Sequence, residues 1–171
     1  MPDKENQSTT QPGTNESESK PLKVMLAEDD AEDQEIFGEA LENLNTNTEL
    51  TVVSNGQELV DTLKDPEQEN PDIIFLDINM PVKDGKEALA EIKKDKELET
   101  IPTVMLSTSD NPKEIKESFQ AGASLFVTKP TSFKNMVRLL KKIFSFHWAG
   151  VLLRPLWHRF FISEKNISRD E

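Results

Sequence analysis

The chain has no cysteine and only two histidines, His147 and His158, both near its carboxyl end. Disulfide frameworks, thiolate metal sites and cysteine nucleophiles are therefore excluded. No apolar run reaches the roughly 20 residues that cross a bilayer, and the first residues lack the apolar core of a signal peptide. A cytoplasmic protein is the plain expectation. Positive charge is also scarce, with 20 Lys and Arg against 32 Asp and Glu, for a net charge of -12. The stretch from Leu22 to Phe144 carries -11 of this, with -2 before it and +1 after it. Such a segment repels phosphate backbones and anionic lipid headgroups, so neither nucleic acid nor membrane is an expected partner.

What remains is enough for one domain with a real core. The chain has 171 residues, 35% of them hydrophobic and 30% charged, which suits a small domain flanked by polar extensions. Residues 1–21, "MPDKENQSTTQPGTNESESKP", contain almost nothing apolar and are expected to form a disordered leader.

From Leu22 the pattern changes to strands alternating with helices. "LKVMLA", "ELTVVSN", "PDIIFLD", "IPTVMLS" and "SLFVTKP" read as five strands. Between and after them, Ala31–Leu44, Gln57–Leu63, Asp84–Lys94, Pro112–Gln120 and Ser132–Phe144 place apolar residues at helical spacing. The third strand is apolar at Ile73, Ile74, Phe75 and Leu76 alike, as a parallel strand covered on both faces requires. Five strand–helix pairs predict a doubly wound α/β domain over residues 22–144.

Folds of this class put functional groups beyond the carboxyl ends of their strands. Glu28 and Asp29 follow the first strand, Asp77 follows the third, Ser107 ends the fourth, and Lys129 ends the fifth. Only the fold can bring these residues together. Carboxylates from neighbouring strands supply hard oxygen ligands for Mg²⁺, which would offset their mutual repulsion. A hydroxyl and an ammonium beside them suit the oxygens of a phosphoryl group.

Taken in order and spacing, "LAEDD", "FLDINMPVKDG", "VMLSTS" and "LFVTKP" resemble the receiver domain of the two-component response regulators. The resemblance implies a flavodoxin-like sheet of five parallel strands in the order 2-1-3-4-5. It also implies that Asp77 accepts a phosphoryl group from a histidine kinase. Asp29 and Asp77 would bind Mg²⁺ directly, Glu28 through water, and Asn79 through its backbone carbonyl. Ser107 would contact the phosphoryl oxygens, Lys129 would pair with the carboxylates and then with phosphate, and Phe126 would be a switch aromatic. Pro130 is expected to follow a cis peptide bond. Asp30 and Asp84 need no chemistry, since each can cap the helix that follows it; Pro81 and Gly85 can shape the turn after Asn79.

The output is read as altered protein contacts on the fourth helix, fifth strand and fifth helix, where Lys113, Lys116, Lys134 and Arg138 are candidates for the exposed face. The alternatives are a shuttle that passes the group to a histidine phosphotransfer protein and an interaction module that is never phosphorylated. No external substrate pocket is legible, so self-modification is expected rather than turnover of a metabolite. Residues 145–171 form an apolar and basic extension without the pattern of a usual output domain. The fifth helix can continue to about Leu153 before Pro155 interrupts it. The apolar residues that follow, including Phe160 and Phe161, are expected to pack on their own domain or on a second copy in a homodimer.

Overall fold

The computed structural model describes residues 19–146 and 159–167, and the expectations for most of the leader and for Trp148 to His158 lie outside them. The strands are β1 (Leu22–Ala27), β2 (Thr48–Val53), β3 (Ile73–Asp77), β4 (Thr103–Ser107), β5 (Leu125–Thr128) and β6 (Phe161–Ile162). The helices are α1 (Ala31–Asn43), α2 (Gly56–Lys64), α3 (Gly85–Lys94), α4 (Pro112–Gln120), α5 (Phe133–Ser145) and α6 (Glu164–Ile167). All strand pairs are parallel, in the order β2-β1-β3-β4-β5-β6. The five expected strands form the core of this sheet in the expected order. β6 is an addition from the carboxyl-terminal extension.

Alternate strand residues feed two cores, one on each face of the sheet. Val24 and Leu26 of β1, with Ile73 and Phe75 of β3, pack with Phe37 and Leu41 of α1 and with Leu139, Leu140 and Ile143 of α5. Met25 and Ala27, with Ile74 and Leu76, pack with Leu59 of α2, Leu89 and Ile92 of α3 and Ile115 of α4. Phe37 and Phe75 meet edge to face at 4.9 Å, which locks α1 onto the centre of the sheet. The near-continuous apolar runs of β3 and β4 follow from this double covering, since every residue of both strands is buried.

Local signals start the helices where the chain leaves the carboxyl edge of the sheet. Asp30 caps α1 by accepting from the Glu32 and Asp33 amides, and Asp84 forms a reciprocal capping box with Glu87 at α3. Asn55, Asn111 and Ser132 cap α2, α4 and α5, with Pro112 at the first turn of α4. The mouth of the sheet is thus built from capped helix starts.

Two expectations are corrected. α5 stops at Ser145 rather than running to Leu153: Phe146 takes extended dihedrals (φ -72, ψ 134). The Ser145 hydroxyl also donates to the Lys142 carbonyl at 2.6 Å, satisfying an end carbonyl that another turn would have used. The peptide bond before Pro130 is trans, since no described bond is cis; trans is the lower-energy isomer of a prolyl bond.

Candidate functional site

Lys129 enters the mouth of the sheet from the end of β5, with its amide donating to the Ser107 carbonyl at 2.7 Å. Its ammonium donates to Glu28 Oε2 at 2.6 Å, Asp33 Oδ2 at 2.8 Å and Asp77 Oδ2 at 2.8 Å. Residues far apart in the chain therefore share one cation. Glu28 and Asp77 are buried, whereas the Asp33 side chain keeps 42% of its surface exposed on the first turn of α1. Asp33 was not among the residues singled out from the sequence. On the first turn of α1 it looks like any solvated helix acid, and only the reach of Lys129 across the sheet mouth marks it.

The second oxygen of each of the two buried carboxylates is also held. Glu28 Oε1 accepts from the Asp30 amide at 3.1 Å, and Asp77 Oδ1 accepts from the Asn79 amide at 3.0 Å. Each carboxylate is thereby fixed in orientation by one backbone donor and by Lys129. Gly85 permits the close approach of α3 behind this point. Its amide donates to the Ile78 carbonyl at 2.8 Å, and a Cβ there would lie 2.2 Å from the Asp77 carbonyl oxygen. The turn carrying Asn79 continues through Val82, which is 82% exposed and holds the left-handed φ of 67 that β-branched residues rarely adopt.

Carboxylate oxygens of Glu28, Asp29 and Asp77 all lie within 4.8 Å of one another. Glu28, Asp33 and Asp77 share the one ammonium of Lys129, with Asp29 beside Glu28 and Asp77, so acids outnumber the cation in this cluster. Burial, opposed by the hydrogen bond from Lys129, lifts the Glu28 carboxyl to about 7, and the charge of Asp77 adds to the lift. Burial also works against the Lys129 charge, but hydrogen bonds to Asp33, Asp77 and Glu28 outweigh it and hold its pKa above the ordinary lysine value. An all-oxygen donor set with surplus negative charge fits a hard divalent cation.

The other two expected residues sit differently. Ser107 is fully buried at the end of β4, one position beyond the residue in register with Asp77. Its hydroxyl reaches toward Glu114 of α4 at 3.5 Å and accepts from the Ser109 amide at 3.1 Å, so it connects the sheet mouth to the α4 start. Phe126 lies in the core on the α2–α3–α4 face, with its ring centroid 6.0 Å from that of Phe161. It is covered by the added strand. Lys113, Lys116 and Lys134 are exposed and Arg138 is half-buried.

This arrangement of fold and acidic mouth has known relatives. Residues 24–141 match the response regulator receiver domain, and the chain belongs to that family. It is 35% identical over 143 residues to the response regulator Rcp1 of Synechocystis sp., covering 81% of this chain and 97% of that protein. Among solved structures, the phosphorylated cyanobacterial phytochrome response regulator RcpA is 36% identical with a TM-score of 0.70, covering 76% of this chain and 95% of RcpA. The Mn²⁺-bound form of Rcp1 is 31% identical with a TM-score of 0.69, covering 80% of this chain and all of that one. The chain is thus a response regulator receiver similar to phytochrome-linked regulators. No helix among the described residues is long and apolar enough to cross a membrane.

Proposed function

We propose that Asp77 accepts a phosphoryl group from a histidine kinase and that the chain relays the signal through altered protein contacts. One observation carries this reading. Asp77 is clamped at the end of β3 between the Asn79 amide and the Lys129 ammonium, beside the Glu28 and Asp29 carboxylates.

An Asp77 carboxylate oxygen attacks the phosphorus of a kinase phosphohistidine. A P–O bond forms, the P–N bond breaks, and the imidazole leaves with that electron pair, giving an acyl phosphate on Asp77. Asp29, Asp77 and the Asn79 carbonyl would hold Mg²⁺, with Glu28 acting through water. The bound cation would neutralise the charge of the phosphoryl oxygens as they approach the carboxylates. Lys129 fixes the acceptor carboxylate beforehand and can follow the new negative charge once Asp77 carries the phosphoryl group. Ser107 can exchange its long contact with Glu114 for a phosphoryl oxygen. This transmits the modification toward α4.

The chemistry is confined to Asp77 itself, with formation and hydrolysis of its acyl phosphate and no turnover of a metabolite. A cytoplasmic setting belongs to the same reading. The test is Mg²⁺-dependent labelling of the full chain by its cognate histidine kinase, compared with Asp77→Asn. Labelling of wild type alone is expected; a wild-type chain that stays unlabelled where a known receiver labels contradicts the proposal. Adding histidine phosphotransfer proteins then separates the contact switch, which retains the group, from a shuttle, which passes it on.

A further inference from the structure

A parallel sheet ending at β5 would leave a row of unpaired backbone groups beside Phe126 and Val127. The last described segment of the chain fills that edge. The Phe126 amide donates to the Phe160 carbonyl at 2.8 Å, and Phe126 and Val127 stand in register with Phe161 and Ile162. Phe160 is fully buried and meets Phe119 of α4 edge to face at 5.1 Å. Ile162 and Ile167 drop into the opposite core beside α5. Glu164 supplies the polar anchor: its Oε1 accepts from the Thr131 backbone amide at 2.6 Å, the Thr131 hydroxyl at 3.0 Å and the Asn135 side-chain Nδ2 at 3.3 Å. These donors draw the Glu164 carboxyl below its ordinary value.

Main-chain pairing plus side-chain footholds is how an extended peptide is recognised at a sheet edge. The pattern here is two aromatics, an aliphatic residue and, two positions on, a carboxylate. The attachment is small for an element of the core. It comprises two strand residues and one four-residue helix, with 14 residues between Phe146 and the first of them, Phe161.

We propose that the groove formed by α4, the β5 edge and α5 is a strand-addition docking site whose resident occupant is this chain's own Phe160–Ile167 segment, seated as a displaceable strap. While seated, the strap closes the β5 edge to any other protein. It also grips the chain on both sides of Lys129, at Phe126–Val127 and at Thr131. A movement of Lys129 and the seating of the strap therefore oppose one another through the same short segment. The docking site stands on its own contacts, and only this link to Lys129 rests on the phosphoacceptor reading.

The experiment uses the full chain, its Glu164→Arg and Phe160→Ala variants, and a labelled synthetic peptide spanning residues 159–167. Hydrogen exchange should show β5-edge amides, Phe126 first, losing protection by at least about tenfold in both variants, while the amides of β3 keep theirs. The peptide should bind the Phe160→Ala variant at least about tenfold more tightly than wild type, because the resident competitor has been weakened. Loss of protection in β3 together with β5 would overturn the proposal, since the segment would then be an inseparable part of the core. So would equal peptide binding to wild type and variant, or no binding to either. A concentration-dependent dimer that Glu164→Arg dissolves would place the strap in a second copy and overturn the intramolecular assignment. None of these readouts requires Asp77 to be modified.

Discussion

Lys129 balances a site that is otherwise too acidic. Its ammonium is shared by Glu28, Asp33 and Asp77, two of them buried. Removing one partner from such a group leaves uncompensated charge in a poorly solvated place. Lys129→Met should therefore lower stability by about 3 kcal/mol in urea unfolding at neutral pH without divalent cations. A loss well under about 1 kcal/mol would mean that water screens these carboxylates after all. A second lysine behaves in the opposite sense. Lys93 donates to the Glu99 and Ile101 carbonyls at 2.9 Å, but burial pushes its pKa down from 10.5 to about 8. The folded state thus sheds this proton more readily than the unfolded chain. The penalty for holding the charge is full below about pH 8 and disappears as pH rises toward 10.5. Wild type should gain stability relative to Lys93→Met as pH rises through that window, measured by urea midpoints; parallel pH profiles would contradict the assignment. Single residues show how far the sequence could be read. Glu28, Asp29, Asp77 and Lys129 stood out because each ends or follows a strand. Asp33 did not, because on α1 it resembles any solvated helix acid, and only the reach of Lys129 across the sheet mouth gives it a role.

At the scale of elements, strand and helix positions were legible because two periodicities alternate cleanly and caps mark the helix starts. Asp30 and Asp84, read as caps, are caps. The extension was less legible. Its apolar residues gave no period, and a two-residue strand carries too little pattern to be distinguished from loop. Whether Phe160 would meet its own sheet or another chain depended on the open edge at β5, a property of the fold. The β3–α3 connection, in contrast, is tightly constrained. A Cβ at Gly85 would meet the Asp77 carbonyl at 2.2 Å and Ile78 Cα at 2.8 Å, both backbone atoms with little room to move. Gly85→Ala should cost about 2 kcal/mol or more and disturb the Asp77 carboxylate, visible as a lower unfolding midpoint together with weaker divalent-ion binding. A variant that unfolds like wild type would show that α3 can slide away from β3 at little cost.

For the whole molecule, the sheet gathers acids from β1, α1 and β3 against one lysine from β5, and the folded state has more negative charge there than it can comfortably hold. A divalent cation that binds this mouth only when it is folded must stabilise the fold. Mg²⁺ at about 100 times its dissociation constant should add about 2.7 kcal/mol to unfolding of the wild type, and much less to Asp77→Asn. Equal stabilisation of both would place the ion elsewhere. The central claim concerns what the mouth does to Asp77, and it can be tested at that atom. The full chain is incubated with a small phosphodonor and Mg²⁺, treated with borohydride, which reduces an aspartyl phosphate to homoserine, and sequenced by mass spectrometry. The account predicts homoserine at position 77, dependent on Mg²⁺ and on Lys129. Reduction at another carboxylate, or phosphorylation that leaves position 77 as aspartate, would contradict it.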